Sequence, residues 1–157
     1  MESLETIIGA VKIFQGLKPE HLALMAGCAS NVRLEANTIV GRVGDTADKF
    51  WVIREGHMAL ELTSPGRGTI TVSTMAEGDV VGFSWLLPPY HLHFDIRALS
   101  VTRALQFDAR CLRGKIEGDP LLGYELLSRF STVMAHRIQA MSFQLLDVFG
   151  DHPIEHD

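Results

Sequence analysis

The stretch Gly44-Asp45-Thr46-Ala47-Asp48-Lys49-Phe50-Trp51-Val52-Ile53-Arg54-Glu55-Gly56 reads as one apolar strand held between two tight turns. Phe50, Trp51, Val52 and Ile53 are residue types that suit a pleated, buried surface. Gly44 and Gly56 stand where such turns need a positive φ, and Asp45 and Asp48 offer side-chain caps to the turn backbone.

Outward from this strand, residues Asn31 to Asp108 continue in the same style. Thr38-Ile39-Val40 and Met58-Ala59-Leu60-Glu61-Leu62 are further short apolar or alternating runs, separated by glycines and acidic turns. About eight strands at a spacing of roughly 8–12 residues predict an antiparallel sandwich or barrel, because helical crossovers between parallel strands need longer connections.

Helical patterns flank this middle. Leu4, Ile7, Ile8 and Val11 fall at helical spacing behind Ser3 as N-cap, and the pattern breaks at Gly16. Pro19 opens a second helix through Leu22, Met25, Ala26 and Ala29, with an end expected near Ala29 or Ser30. Beyond Asp108, Asp119 and Pro120 form an N-cap and first-turn pair. Leu127, Phe130, Met134, Ile138, Met141, Leu145 and Val148 then recur at steps of three or four. A helix from Pro120 to Val148 would be about 43 Å long, against a radius of gyration of about 15 Å for such a domain. Phe130, Met134, Ile138, Met141 and Leu145 are therefore expected to pair with a second copy, giving a homodimer. The alternative is a kink near Gly123 or a fold-back onto the β core. The class is α+β: one domain over residues 1–150, with the long helix at 119–149 and a tail at 151–157.

Composition agrees. The 157 residues are 46% hydrophobic and 21% charged, with 14 Gly and 6 Pro, which excludes a disordered or low-complexity chain. Fourteen basic against 19 acidic residues give a net charge of -5, unsuited to a chain whose main task is neutralising nucleic-acid phosphates. Cys28 and Cys111 lie far apart without a C-x-x-C partner, suggesting neither a disulfide framework nor a zinc site. Cys28 is expected in an apolar helix and Cys111 beside Arg110 and Arg113, both as packing residues. Met1-Glu2-Ser3-Leu4-Glu5 is no leader, so a reducing cytoplasm is expected. The longest uncharged stretch, Val80 to Phe94, is too short for a membrane span and contains Pro88-Pro89. Neither a G-x-S-x-G elbow, a Walker loop nor an H-E-x-x-H motif occurs, and no enzyme is expected.

Three motifs carry a resemblance: Phe14-x-Gly16-Leu17, Gly44-Asp45-x-Ala47-Asp48-x-Phe50-x-Val52-Ile53-x-x-Gly56, and Gly78-Asp79-x-x-Gly82. In these, and in its order of helices, β roll and long terminal helix, the chain resembles the cyclic nucleotide-binding domain of bacterial catabolite-activator-type regulators, cyclic-nucleotide-dependent kinases and gated channels. The resemblance covers about residues 10 to 148. It implies a double-stranded antiparallel β-helix, a jelly-roll-like β roll, flanked by N-terminal helices and a long C-terminal helix. It also implies a ligand cassette that includes Gly78, Asp79, Gly82, Phe83, Ser84, Trp85, Leu92 and His93.

In that family the cassette's backbone N–H groups hold the cyclic phosphate, a Glu binds the ribose hydroxyl, and an Arg-Ser/Thr-Ala triplet neutralises the phosphate. Here Phe83 stands in the place of the Glu. Counting back from Arg97-Ala98 puts the Arg position on Leu92 and the hydroxyl position on His93; counting forward without a gap puts the Arg position on His93. Neither register supplies an arginine. A hydrogen bond to a charged group is worth about 1.5–3 kcal/mol, so its loss should weaken binding roughly 10- to 150-fold. An ordinary histidine is only about one quarter cationic at pH 7. The implied ligand, a cyclic mononucleotide such as cAMP or cGMP, is thus expected to bind weakly or not at all, and no other cofactor is implied.

Phe83, Trp85, Tyr90 and Phe94 could stack on a purine, shape a pocket for a flatter or less polar ligand, or cover the open end of the roll. His91 and His93, two apart on an expected strand, suit a phosphate or anion contact, a metal pair with Asp95, or plain surface positions. No third ligand stands at a motif spacing, so no metal site is expected. Arg97 points to the other face as an ion-pair partner, and Pro88-Pro89 should leave the cassette short or stiff. The expected function is a noncatalytic cytoplasmic sensor or regulatory domain, dimeric through its long helix, with an unknown protein partner. Only Gly150 to Asp157 follow that helix, too few for a helix-turn-helix, so direct DNA binding is not expected. Alternatives are a ligand-free interaction module and a sensor of a different small molecule.

Overall fold

The computed structural model describes residues 2–150, with side-chain surroundings through residue 147; the tail at 151–157 and the Val148 side chain lie outside it. Helix α1 (Leu4–Ala10) begins at Ser3, whose Oγ accepts a hydrogen bond from the Thr6 amide at 3.2 Å. A 3-10 turn, Lys12–Phe14, leads into α2 (Pro19–Ala26), where Pro19 fills the first helical position. Helix α2 ends before Ala29 because that residue opens the first strand.

Eight strands follow: β1 (Ala29–Leu34), β2 (Ile39–Gly41), β3 (Lys49–Glu55), β4 (Met58–Ser64), β5 (Gly68–Met75), β6 (Val80–Val81), β7 (Asp95–Ala98) and β8 (Thr102–Asp108). They form two antiparallel four-stranded sheets, ordered β1-β8-β3-β6 and β2-β7-β4-β5. The decisive strand β3 buries Phe50, Trp51, Val52 and Ile53 on both its faces. Phe50 stacks on Phe107 of β8 at 4.4 Å between ring centres. Gly44 and Gly56 have φ of 89° and 104°, and Asp45 caps its turn by accepting from the Arg42 amide at 3.0 Å. Asp48 instead accepts from Arg110 Nε at 3.1 Å.

Helix α3 (Ala109–Gly118) is capped by Asp108, whose Oδ1 accepts from the Cys111 amide at 3.0 Å. One residue later α4 (Pro120–Gly150) runs unbroken for 31 residues, passing through Gly123. A Cβ at Gly123 would lie 2.6 Å from Ile116 Cγ2, so glycine lets α4 close against α3. Leu122, Leu126 and Phe130 of α4 are fully buried. This corrects the assignment of Phe130 to a dimer face: its ring lies among Phe14, Phe50, Phe83 and Trp85, at 5.4–6.3 Å between centres.

The cysteine expectation is also overturned. Cys28 lies in the turn after α2, not in a helix, and forms a disulfide with Cys111 in the first turn of α3, with Cα atoms 5.7 Å apart. The cause is long-range pairing. β8 runs back along β1 with Phe107 opposite Ala29, which carries the start of α3 over the α2–β1 turn. Among the described residues no helix is long and apolar enough to cross a membrane.

Candidate functional site

The loop between β6 and β7 closes one end of the roll. Gly78 and Asp79 build the turn before it: the Gly78 amide donates to the Ile53 carbonyl at 2.8 Å, and Asp79 Oδ2 accepts from the Ala76 amide at 2.8 Å. Both shape the loop's approach rather than line its cavity. After Gly82 the chain makes only a three-residue 3-10 turn, Ser84–Leu86, and reaches the cis-linked Pro88-Pro89 pair, so the cassette is short as the prolines suggest.

A cavity of about 370 Å³ lies beneath this loop. Gly82, Phe83, Ser84, Leu87, Pro88, Leu92, His93 and Phe94 of the loop line it. Leu60 of β4, Ile96 of β7 and Met134 of α4 complete the lining. Gly82, Phe83, Ser84, Leu92 and His93 all border this one cavity, while Trp85 is not among them. Its ring is 0% exposed and stacks on Phe50 at 4.6 Å, so it belongs to the core. His91 and His93 also differ from expectation, since the segment around them is no strand. His91 makes an isolated bridge to Thr46, and only His93 borders the cavity. Among the described residues no group of three His, Cys, Asp or Glu side chains could hold a metal.

The electrostatics of the cavity follow from where three arginines go. Arg97 grips Glu61 with two hydrogen bonds of 2.8 Å and Asn37 with one of 2.9 Å. This is the ion pair its strand parity implies. The Arg97 hydrogen bonds hold the Glu61 carboxyl below its usual pKa, against burial that would raise it. Arg113 of α3 donates to the carbonyls of Trp85 (2.9 Å) and Ala47 (3.3 Å) and lies over the Tyr90 ring at 4.4 Å. Arg137 of α4 donates to the Val80 carbonyl and lies over the Phe83 ring at 4.5 Å; burial lowers its pKa and the nearby Asp79 opposes that. Arg113 and Arg137 pin the loop from outside, Arg97 is spent on Glu61 and Asn37, and among the described residues His93 is the one ionisable side chain bordering the cavity.

Arg113 and Arg137 escape a reading of the sequence because they arrive from helices that follow the roll and match no local motif. A larger hollow of about 500 Å³ lies between the 3-10 turn and α4, bordered by Lys12, Asp79, Arg129 and His136. Its Arg129 is already bonded to the carbonyls of Ile13 (2.8 Å) and Gln15 (2.7 Å).

The chain matches the sequence profile of the cyclic nucleotide-binding domain over residues 31–119. Comparison with curated protein sequences finds no match. Among solved structures, a Geobacter metallireducens GS-15 protein assigned to the cyclic nucleotide-binding class superposes with a TM-score of 0.78 at 24% identity, covering 88% of this chain and 99% of its own. A cyclic nucleotide-binding domain from Methylobacillus flagellatus KT gives 0.74 at 16% identity, covering 98% and 84% respectively. Thermus thermophilus catabolite activator protein gives 0.65 at 20% identity, covering 88% and 62%. At these identities the likeness concerns the fold.

Proposed function

The chain belongs to the cyclic nucleotide-binding domain family, and from that premise we propose that it is a noncatalytic regulatory domain. It senses a small molecule in the cavity beneath the β roll and reports through α4. One observation carries this reading: Met134 of the long helix forms a wall of the same cavity as Phe83 and Leu92 of the loop, so an occupant touches sensor and output together. We place the domain in the cytoplasm, as a homodimer through α4 that acts on a protein partner rather than on DNA or a membrane. Its charge of -5 supports the exclusion of DNA.

A cyclic mononucleotide, cAMP or cGMP, is held weakly, because the cavity wall offers a ring at Phe83 where the family has a carboxylate, and an aliphatic chain at Leu92 or an imidazole at His93, by either register, where it has a guanidinium. Calorimetry at millimolar cAMP and cGMP tests this. The wild type should give a weak heat, and the Leu92→Arg variant should bind roughly 10- to 150-fold more tightly. Absence of any heat from both proteins removes the cyclic nucleotide as ligand.

The apolar walls at Phe83, Leu87, Pro88, Leu92 and Phe94 favour a second reading, a sensor for a less polar small molecule. If the cavity takes no ligand, the domain is an interaction module that keeps the fold for dimerisation.

A further inference from the structure

We propose that Cys28 and Cys111 form a reversible redox clasp, a site of thiol–disulfide exchange with an external dithiol that sets how tightly α3 holds the base of α4. This goes beyond ligand sensing and does not depend on it. The disulfide is the one covalent tie between the α2–β1 turn and the first turn of α3 among the described residues. It is not sealed in the core: a cavity of about 340 Å³ has both cysteines, Lys49, Gln106 and Asp108 as walls. Cys28 is only 6% exposed, whereas Cys111 is half-buried, so an incoming thiolate reaches the Cys111 sulfur first.

The chemistry balances as a two-step exchange. A thiolate of the dithiol attacks Cys111 Sγ, the S–S bond breaks, and Cys28 leaves as a thiolate that takes a proton. The second thiol of the reagent then attacks its own sulfur in the mixed disulfide and releases Cys111. The dithiol gives up two electrons and two protons and becomes a disulfide, while the protein gains two thiols. Cys111 leaves at the first turn of α3, whose Cys111 amide is already capped by Asp108 Oδ1 at 3.0 Å, with Lys49 the cationic wall of the same cavity.

Opening the clasp has a defined mechanical consequence. Two polar links to α2 remain: from α3, Lys115 Nζ donates to the Leu24 carbonyl at 2.8 Å, and just after it Asp119 Oδ2 meets His21 Nε2 at 3.1 Å. Asp119 is the hinge to α4, whose first turns carry Leu122, Leu126 and Phe130 into the core, the last against Phe83 of the loop. Freeing α3 therefore loosens the base of the helix that closes the ligand cavity. Redox state and ligand would act on one element.

The full chain tests this in native buffer. Millimolar dithiothreitol, followed by maleimide trapping and mass spectrometry, should label both cysteines without denaturant, and oxidised glutathione should restore the unlabelled disulfide form. The reduced protein should melt about 10 °C lower, as expected for opening a loop of 83 residues. Its amide hydrogens in residues 109–126 should exchange at least tenfold faster, while those of β3 stay protected. Cys28→Ser/Cys111→Ser should reproduce that exchange pattern without reductant, and reduced wild type provides the same reading if the variant folds poorly. Labelling only in denaturant, unchanged exchange in 109–126, or protection lost throughout the roll would each make the bond a plain structural staple and overturn the clasp.

Discussion

Phe83 gives its ring edge-to-face to Phe130 at 5.8 Å and takes the Arg137 guanidinium on its face at 4.5 Å. The side chain is a packing contact between loop and helix. Arg97 follows the same logic, since its charge is committed to Glu61, which is 5% exposed and accepts both 2.8 Å bonds. Because these bonds depress the folded-state pKa of Glu61, the pair contributes fully above the unfolded carboxyl's pKa of about 4.3. Its contribution fades as pH falls through the lower folded value. Arg97 is partly exposed, which limits the pair's worth. Glu61→Gln should cost about 2 kcal/mol at pH 7, and urea unfolding should show the gap from wild type shrinking towards pH 3. A gap that widens on acidification would contradict this. Strand parity makes the turned-away Arg97 legible in the sequence. The engagement of Arg113 and Arg137 is not, because each meets the loop only through tertiary packing.

Helix α4 divides its apolar stripe by depth. Spacing at three and four places Leu127, Phe130, Met134, Ile138 and Leu145 on one broad face, and the helix indeed runs unbroken through them. Periodicity names a face but does not say where the roll stops covering it. Phe130 is 0% exposed under the loop, while Ile138 is 61% exposed two turns later. Phe130→Ala should therefore lose roughly 3–5 kcal/mol, and Ile138→Ala within about 0.5 kcal/mol of nothing. Chemical denaturation of the two variants at equal concentration, low enough to keep the chain monomeric, decides it. Equal losses would mean that the helix packs along its whole length. The cysteines teach the same lesson from strands: β1 and β8 are recognisable separately, but their pairing, which brings Cys28 to Cys111, spans most of the domain. Turn glycines and alternating runs expose the roll's strands because those signals are local.

At the scale of the molecule, α4 presents two sides with different tasks. One carries Leu122, Leu126, Phe130 and Arg137 onto the roll. The adjoining side carries Leu127, Ile138 and Leu145, exposed by 44%, 61% and 58%, at the spacing of a two-helix seam. Met134 lies between them and closes the cavity, so ligand and partner helix would meet at one side chain. Any ligand that shifts Met134 must then change dimer affinity by the factor by which dimerisation changes ligand affinity. If the seam is the output, Ile138→Glu should give a monomer by light scattering at concentrations where wild type is dimeric. Its roll should stay intact, because the substituted side chain makes no core contact. The monomeric variant should still bind whatever occupies the cavity, with an affinity displaced from that of the dimer. A wild type that is already monomeric removes the seam. A dimeric wild type whose affinity matches that of the monomer leaves the helices paired but severs them from the sensor.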